Sequence, residues 1–402
     1  MDFESWWLVI IPILFGLGWI AGRFDMRQIV SETRQLPDSY FKGLNFLLNE
    51  DHDQAIDAFV EVAKLDTETT ELHFALGSLF RRRGEIERAI RVHQSLLNRA
   101  DLAAQDQAQA RYELAQDFFK AGMFDRAEAG FLQATQDEPH AVAATRALIR
   151  IYEAEHNWPK AIEAVENLQK LLAEPVPQVV HYYCELAVQA LSSKPANIER
   201  ALNELKQAEH IAQDLGSKQG SQARIAMIYA HIARVQEQWQ QEREYLQQVL
   251  QNNPEFVGLI AQDFIENYVR QDQGQEGIAI LQAHYREYPA LDLFNVIFKY
   301  LRTHEQGKQA WAFARESLSV SPSLLGLDKL LEVELAAEQE VTPSLLPDLQ
   351  LDLLRKMIHK HSQRLDRYAC RQCGFQARAF YWQCPGCNAW ETYAPKRLEE
   401  LS

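Results

Sequence analysis

The chain has 402 residues, 47% of them hydrophobic and 10% aromatic, a composition that fits an ordered protein and excludes a disordered one. Its net charge of −15 argues against sequence-independent binding of DNA or RNA, which needs clustered Lys and Arg to neutralise phosphates; the basic triplet Arg81-Arg82-Arg83 reads as a solvated helix end. Glycine (17) and proline (14) are too sparse for the many tight turns of an all-β fold, so an all-α fold is expected.

The first predicted element is a membrane anchor. Ser5 to Gly22 reads SWWLVIIPILFGLGWIAG, without a charged side chain. At 1.5 Å rise per residue this run covers about 27 Å, enough to cross the hydrocarbon of a bilayer. Trp6, Trp7 and Trp19 stand near its ends, where indoles favour the interface, and Pro12 is tolerated in a lipid-embedded helix. A cleaved signal peptide would begin with a basic region, whereas here Asp2 and Glu4 precede the run and Arg23 and Arg27 follow it. That asymmetry predicts a single-pass anchor over residues 1–23, a linker over 24–39, and the bulk of the chain in the cytoplasm.

From Tyr40 to Pro322 the sequence repeats with a period near 34 residues. Gly43, Gly77 and Ala115 hold a first small position, and Ala55, Ala89 and Ala127 follow each by twelve residues. Gly84 and Gly122 fall at the turn between, and Phe59, His93 and Phe131 come four residues after the second small position. Pro139, Pro254, Pro289 and Pro322 close their units, twelve residues beyond Ala127, Glu242, Gly277 and Ala310. Units around Ala161 and Ala201 keep the theme less regularly. Two antiparallel helices approach closely only where side chains are small, and a bulky neighbour then fills the groove. No pair buries its own apolar face, so several must stack. The pattern resembles the tetratricopeptide repeat and implies a superhelical solenoid of about eight units over residues 40–325, whose concave face could hold an extended peptide or a partner helix. Cys184, alone in a helical stretch, reads as a buried small hydrophobe.

A helical connector is expected over 326–366, with an amphipathic helix from Leu345 to Asp366 started by Ser344 or Pro347. His359 and His361 lie on it and read as solvated helix residues rather than further metal ligands. The segment 367–395 then carries Cys370-Arg-Gln-Cys373-Gly374-Phe375 and Trp382-Gln-Cys384-Pro385-Gly386-Cys387. Two C-x-x-C pairs ten residues apart supply four thiolates to one tetrahedral ion. Cys370, Cys373, Cys384 and Cys387 are therefore the metal ligands, and four protein ligands leave no open position for catalytic water. Gly374 and Gly386 are expected to take positive φ in the knuckles, and Trp382 and Trp390 to pack on the helix Leu345–Asp366. The two pairs resemble the knuckles of rubredoxin, with a shortened segment between them. Thiolate tetrahedra accept zinc or iron; zinc is preferred on physical grounds and the resemblance keeps iron open. Glu399-Glu400 reads as a charged chain end, and phosphate-loop, zinc-protease and serine-hydrolase motifs are absent from the sequence.

Anchor, repeats and terminal knuckle in this order resemble the lipopolysaccharide assembly protein B family of Gram-negative bacteria, most specifically in the ending Tyr368-Ala-Cys370 through Trp390-Glu-Thr-Tyr-Ala-Pro. The resemblance implies a non-enzymatic inner-membrane adaptor that limits lipopolysaccharide synthesis. Its implied partners are a membrane-bound ATP-dependent zinc protease, the lipid A pathway deacetylase that the protease degrades, and a lipopolysaccharide-sensing inner-membrane protein. The alternative is a scaffold that gathers lipopolysaccharide biosynthetic enzymes without delivering any for degradation; a redox or metal-transfer role for the knuckle is a third. A homo-oligomer stays open. Deleting residues 1–23 is expected to leave a folded protein that fails to complement a deletion strain at native expression; full complementation would refute the anchor's importance.

Overall fold

A computed structural model describes residues 51–65, 70–214, 219–304, 308–338 and 351–401, with isolated positions before Asp51. The expected anchor, Phe15 aside, and the linker after it lie outside the described residues. Among the described residues no helix is long and apolar enough to cross a membrane.

The described chain is helical almost throughout. In order come α1 (His52–Leu65), α2 (Thr70–Arg83), α3 (Ile86–Leu97), α4 (Ala104–Lys120), α5 (Phe124–Ala134), α6 (Ala141–Ala154) and α7 (Trp158–Leu172). There follow α8 (Val179–Ser192), α9 (Ile198–Asp214), α10 (Gln219–Val235), α11 (Trp239–Asn252), a 3-10 turn (Pro254–Phe256), α12 (Val257–Arg270) and α13 (Gly274–Glu287). The series ends with α14 (Leu291–His304), α15 (Lys308–Val320), α16 (Leu324–Glu338) and α17 (Leu351–Ser362). Even-numbered helices are the first members of their pairs and odd-numbered ones the second.

One turn closes the first helix in five of these pairs. After α2, the Glu85 amide donates to Phe80 O (2.8 Å) and the Gly84 amide to Arg81 O (3.2 Å), which satisfies carbonyls the helix end would leave bare. The same two bonds recur after α4, α6, α10 and α12, through Met123, Asn157, Gln238 and Gln273. The motif needs one left-handed residue. Gly84 and Gly122 supply it at φ +86° and +73°, while His156, Glu237 and Asp272 take φ of 54–58° in the later pairs.

The described residues form two compact units, 1–151 and 152–402. In the first, Ala55, Phe59, Leu72, Leu76, Leu79, Phe80 and Ala89 form the core. A Cβ at Gly43 would lie 2.6 Å from the Phe59 ring, and one at Gly77 would collide with His93, so the first small position exists to admit the ring of the second helix. His93 is fully buried, with Nδ1 2.5 Å from Asp117 Oδ2. Arg81 pairs with the other Asp117 oxygen at 2.8 Å and with Glu113. The triplet is thus not a uniformly solvated end: Arg82 and Arg83 are exposed, but Arg81 turns inward to balance a buried carboxylate.

In the second unit, Leu246, Val257, Phe264, Tyr268, Ile297 and Phe298 anchor a continuous core from α10 to α16. Glu242, at a position normally small, is fully buried, and accepts from Arg234 (2.6 Å) and Asn267 (2.7 Å). Cys184 is buried among Val180, Ala187, Leu205 and Ile232, and burial pushes its thiol up to about 11. The helix expected over Leu345–Asp366 is seen as α17; residues 339–350 lie outside the described residues. Leu354 and Ile358 of α17 pack on the core that holds Leu330 and Leu331 of α16, so these two helices close the stack as another pair.

Ala89 and Ala127 have no accessible surface. Ala89→Leu or Ala127→Leu is expected to overpack its helix pair and cost about 1–3 kcal/mol in urea unfolding. A loss below a few tenths would show that the repeat alignment is wrong.

Candidate metal centre and its seat

The knuckle starts from a short hairpin. Strand β1 (Tyr368–Ala369) pairs antiparallel with β2 (Gln376–Ala377), Tyr368 opposite Ala377. Between them the Cys370 amide donates to Phe375 O and the Gly374 amide to Cys370 O, both at 2.9 Å. The second turn repeats the plan: the Cys384 amide donates to Ala389 O (2.9 Å) and the Asn388 amide to Cys384 O (2.8 Å). In each turn the left-handed residue directly follows the second cysteine, Gly374 at φ +75° and Asn388 at +57°. Gly386 therefore does not need positive φ, against expectation. It is small because a Cβ there would come within 3.1 Å of the Phe375 side chain.

The two turns bring all four Sγ atoms of Cys370, Cys373, Cys384 and Cys387 within 4.8 Å of one another. Cys370 to Cys387 is 3.8 Å and Cys373 to Cys384 is 3.6 Å. A tetrahedral ion with metal–sulfur bonds of ~2.3 Å would have sulfur–sulfur edges of ~3.8 Å, so the donor set fits zinc or iron. The Gln372 amide points at Cys370 Sγ (3.4 Å), the Gly386 amide at Cys384 Sγ (3.3 Å), and Thr392 Oγ1 lies 3.2 Å from Cys370 Sγ. Burial works against ionisation of Cys370, but the Thr392 hydroxyl and the amides of Cys373 and Gln372 outweigh it and bring the thiol down to about 6. Zinc here would be structural, and iron would add one-electron redox chemistry. His359 is not a ligand: its Nδ1 lies 2.8 Å from Asp328 Oδ2, and His361 is exposed.

The knuckle is seated on the first helices of the second unit, not on α17. Trp390 Nε1 donates to Glu153 Oε1 (2.8 Å) on α6, which also accepts from Tyr182 OH (2.6 Å) on α8. The Trp390 ring stacks on His181 at 4.8 Å and meets Trp158 edge-on at 6.1 Å. Trp382 stacks on Phe256 at 5.6 Å. Arg224 of α10 lies 5.6 Å from the centres of both tryptophan rings. Its guanidinium donates to His181 Nδ1 (3.1 Å), so the other ring nitrogen carries the proton and donates to Glu391 Oε1 (2.9 Å). Burial holds His181 below its ordinary pKa, against the pull of Glu391, which keeps this neutral tautomer. Ser221 Oγ donates to the same Glu391 oxygen at 2.5 Å.

At the far end of the seat, Tyr368 OH donates to Asp292 of α14 (2.6 Å), and Arg397 grips both Asp292 oxygens at 2.8–3.1 Å while stacking over the Tyr368 ring. Glu399 and Glu400, read from sequence as a charged chain end, cap helices. Glu399 accepts from the amides of Leu324 (2.6 Å) and Leu325 (3.0 Å) at the start of α16, and Glu400 from that of Leu291 (3.0 Å) at the start of α14. None of these roles has a local sequence signal, because their partners lie far away along the chain.

Stacked helix pairs bearing a four-thiolate knuckle define a tetratricopeptide-repeat protein with a rubredoxin-like metal domain. Family models agree: the tetratricopeptide repeat matches residues 42–110 and 112–172, and the rubredoxin metal binding domain matches 368–395. The chain is 32% identical to lipopolysaccharide assembly protein B of Escherichia coli K12 over 97% of both chains, and 27% identical to that of Haemophilus influenzae over 98% of both. It belongs to the lipopolysaccharide assembly protein B family.

Cys370→Ser or Cys384→Ser is expected to lower bound metal well below one equivalent and to release the knuckle from its seat, because a segment of ~30 residues has too little apolar core to fold without the ion. The repeats should stay helical by circular dichroism. Less than half an equivalent of metal in the wild-type protein would refute the assignment.

Proposed function

We propose that the protein is a single-pass inner-membrane adaptor in lipopolysaccharide assembly, facing the cytoplasm, that promotes degradation of the lipid A pathway deacetylase by a membrane-bound ATP-dependent zinc protease. The observation that carries this reading is the end-to-end relationship to proteins named lipopolysaccharide assembly protein B, at 97% coverage of both chains. The fold supports it: stacked repeats offer extended surfaces for peptides, and the metal site is filled by protein ligands rather than open to a substrate. An anchor at residues 1–23 would confine the scaffold beside a membrane protease and raise the effective concentration of a soluble client there. In this reading a lipopolysaccharide-sensing membrane protein sets how often the client is delivered.

Depletion of the protein, followed by pulse-chase of the deacetylase, tests the proposal together with proximity labelling from the cytoplasmic domain. The expected result is a lengthened deacetylase half-life and labelling of both protease and deacetylase. An unchanged half-life alongside labelling of several biosynthetic enzymes would overturn delivery in favour of an assembly scaffold.

A further inference from the structure

In the first unit, the face made by the first helices carries cations that have no partner among the described residues. On α2, Phe74, Ser78 and Arg82 follow at four-residue spacing and so share one side of the helix. On α4, aligned through the small residues Gly77 and Ala115, the same places hold Tyr112, Gln116 and Lys120. One 34-residue repeat later, on α6, two of them are Arg146 and Arg150. Arg82, Lys120, Arg146 and Arg150 are all exposed, and none forms an ion pair with a described residue. Arg81 and Glu113, in contrast, neutralise each other, and Asp137 is 3.7 Å from Arg111. The exposed carboxylate nearest to these rows on α2 is Glu71, one turn before Phe74.

This gathering of positive charge runs against the chain's net charge of −15. Arg146 and Arg150, at i and i+4, repel each other and destabilise α6 slightly unless an anion lies over them. The aromatic members are held firmly: Tyr112 stacks on His140 at 4.9 Å and meets Phe131 edge-on at 5.9 Å, while Phe74 packs at the Leu96–Ala110 cluster. The surface is therefore an aromatic and amide floor, with Gln116 Nε2 donating to Tyr112 OH, and exposed guanidinium and ammonium groups around it.

We propose that this face docks an extended acidic segment of a partner protein. Neighbouring first helices stand roughly 10 Å apart, and an extended chain in the polyproline II conformation rises about 3.1 Å per residue with three residues per turn, so carboxylates at every third residue would share one side and meet successive helices. One would lie by Arg82, the next by Lys120, and the last in the fork of Arg146 and Arg150, with residues between them resting on Phe74 and Tyr112. Arginine pairs bind carboxylates bidentately, which fixes the direction of the segment as well as its charge. Nucleic acid is disfavoured, since the rest of the chain is acidic and would repel a phosphate backbone. The proposal rests on the adaptor reading for the identity of the partner as a protein. Its test measures binding alone, so it can fail while client turnover still depends on the protein, and the reverse.

The experiment uses the full-length protein in detergent micelles and fluorescence anisotropy with a labelled peptide of about ten residues, bearing Glu at every third position and Leu or Ser between. Binding should fall as salt rises, and weaken at least about tenfold in Arg146→Glu/Arg150→Glu and, independently, in Arg82→Glu/Lys120→Glu. Arg146→Lys/Arg150→Lys should keep part of the affinity, and Lys206→Glu, at an exposed position of α9, should keep all of it. Far-UV circular dichroism checks that each variant is folded, and the second charge-reversal pair decides if the first is not. Wild-type affinity in both reversal variants, no binding of the acidic peptide, or tighter binding of a single-stranded RNA oligonucleotide would overturn the proposal.

Discussion

Glu153 is the carboxylate on which the second unit depends. It is buried, and it accepts the Tyr182 hydroxyl from within the repeats and the Trp390 indole from the metal knuckle on the same oxygen. A buried carboxylate needs both donors, because each unmade bond to a desolvated charge costs about 1–3 kcal/mol or more. Burial and the charge of Glu153 in turn raise the Tyr182 phenol far above its ordinary pKa, so the donor never ionises in the working pH range. The knuckle is thus part of what satisfies the repeats, not an appendage to them.

The rest of the seat follows the same logic with different chemistry at each helix. Neutral His181 relays between Arg224 and Glu391, Asp292 takes Tyr368 and Arg397, and the two terminal glutamates meet the positive ends of α14 and α16. Apolar contact is concentrated where Trp382, Phe380 and Phe256 meet. This face of the second unit is already occupied by the chain's own C-terminus, so the peptide-holding role expected of the stacked repeats falls to other surfaces.

Much of this was legible in the sequence because repeats and knuckles are local. The small positions Gly43, Gly77, Ala89 and Ala127 are fixed by contacts within one helix pair, and the four cysteines by two turns, so each signal fits in a short window. The seat was not legible. Trp390 and Glu153 are 237 residues apart and Glu391 and His181 are 210 apart, and neither pair has a period or a motif. The nearest available partner along the chain, the helix before the knuckle, was the natural expectation for the tryptophans and proved wrong. The departures His93 and Glu242 were visible as irregular repeat positions, but their meaning was not, since the balancing Asp117, Arg81, Arg234 and Asn267 come from neighbouring helices. The misassigned Gly386 shows the limit of reading glycine by type: one glycine in the knuckles answers to φ, the other to the approach of Phe375.

A polar seat has a consequence that an apolar one would lack. If the knuckle left, Trp158 and Phe256 would lose modest apolar cover, but Glu153, His181, Arg224 and Asp292 would each lose hydrogen-bond partners at once. Water can restore some of these bonds, yet stacking on His181 and the bidentate Arg397 grip depend on one orientation of the incoming domain. Partial or shifted docking leaves charged groups poorly paired, so the seated state is separated from its alternatives by geometry as well as by energy. The ion fixes the two knuckle turns, the turns fix Trp382 and Trp390, and those rings and Glu391 bridge helices from three successive first-helix positions, α6, α8 and α10. A bound ion would thereby support the packing of three helices that supply none of its ligands.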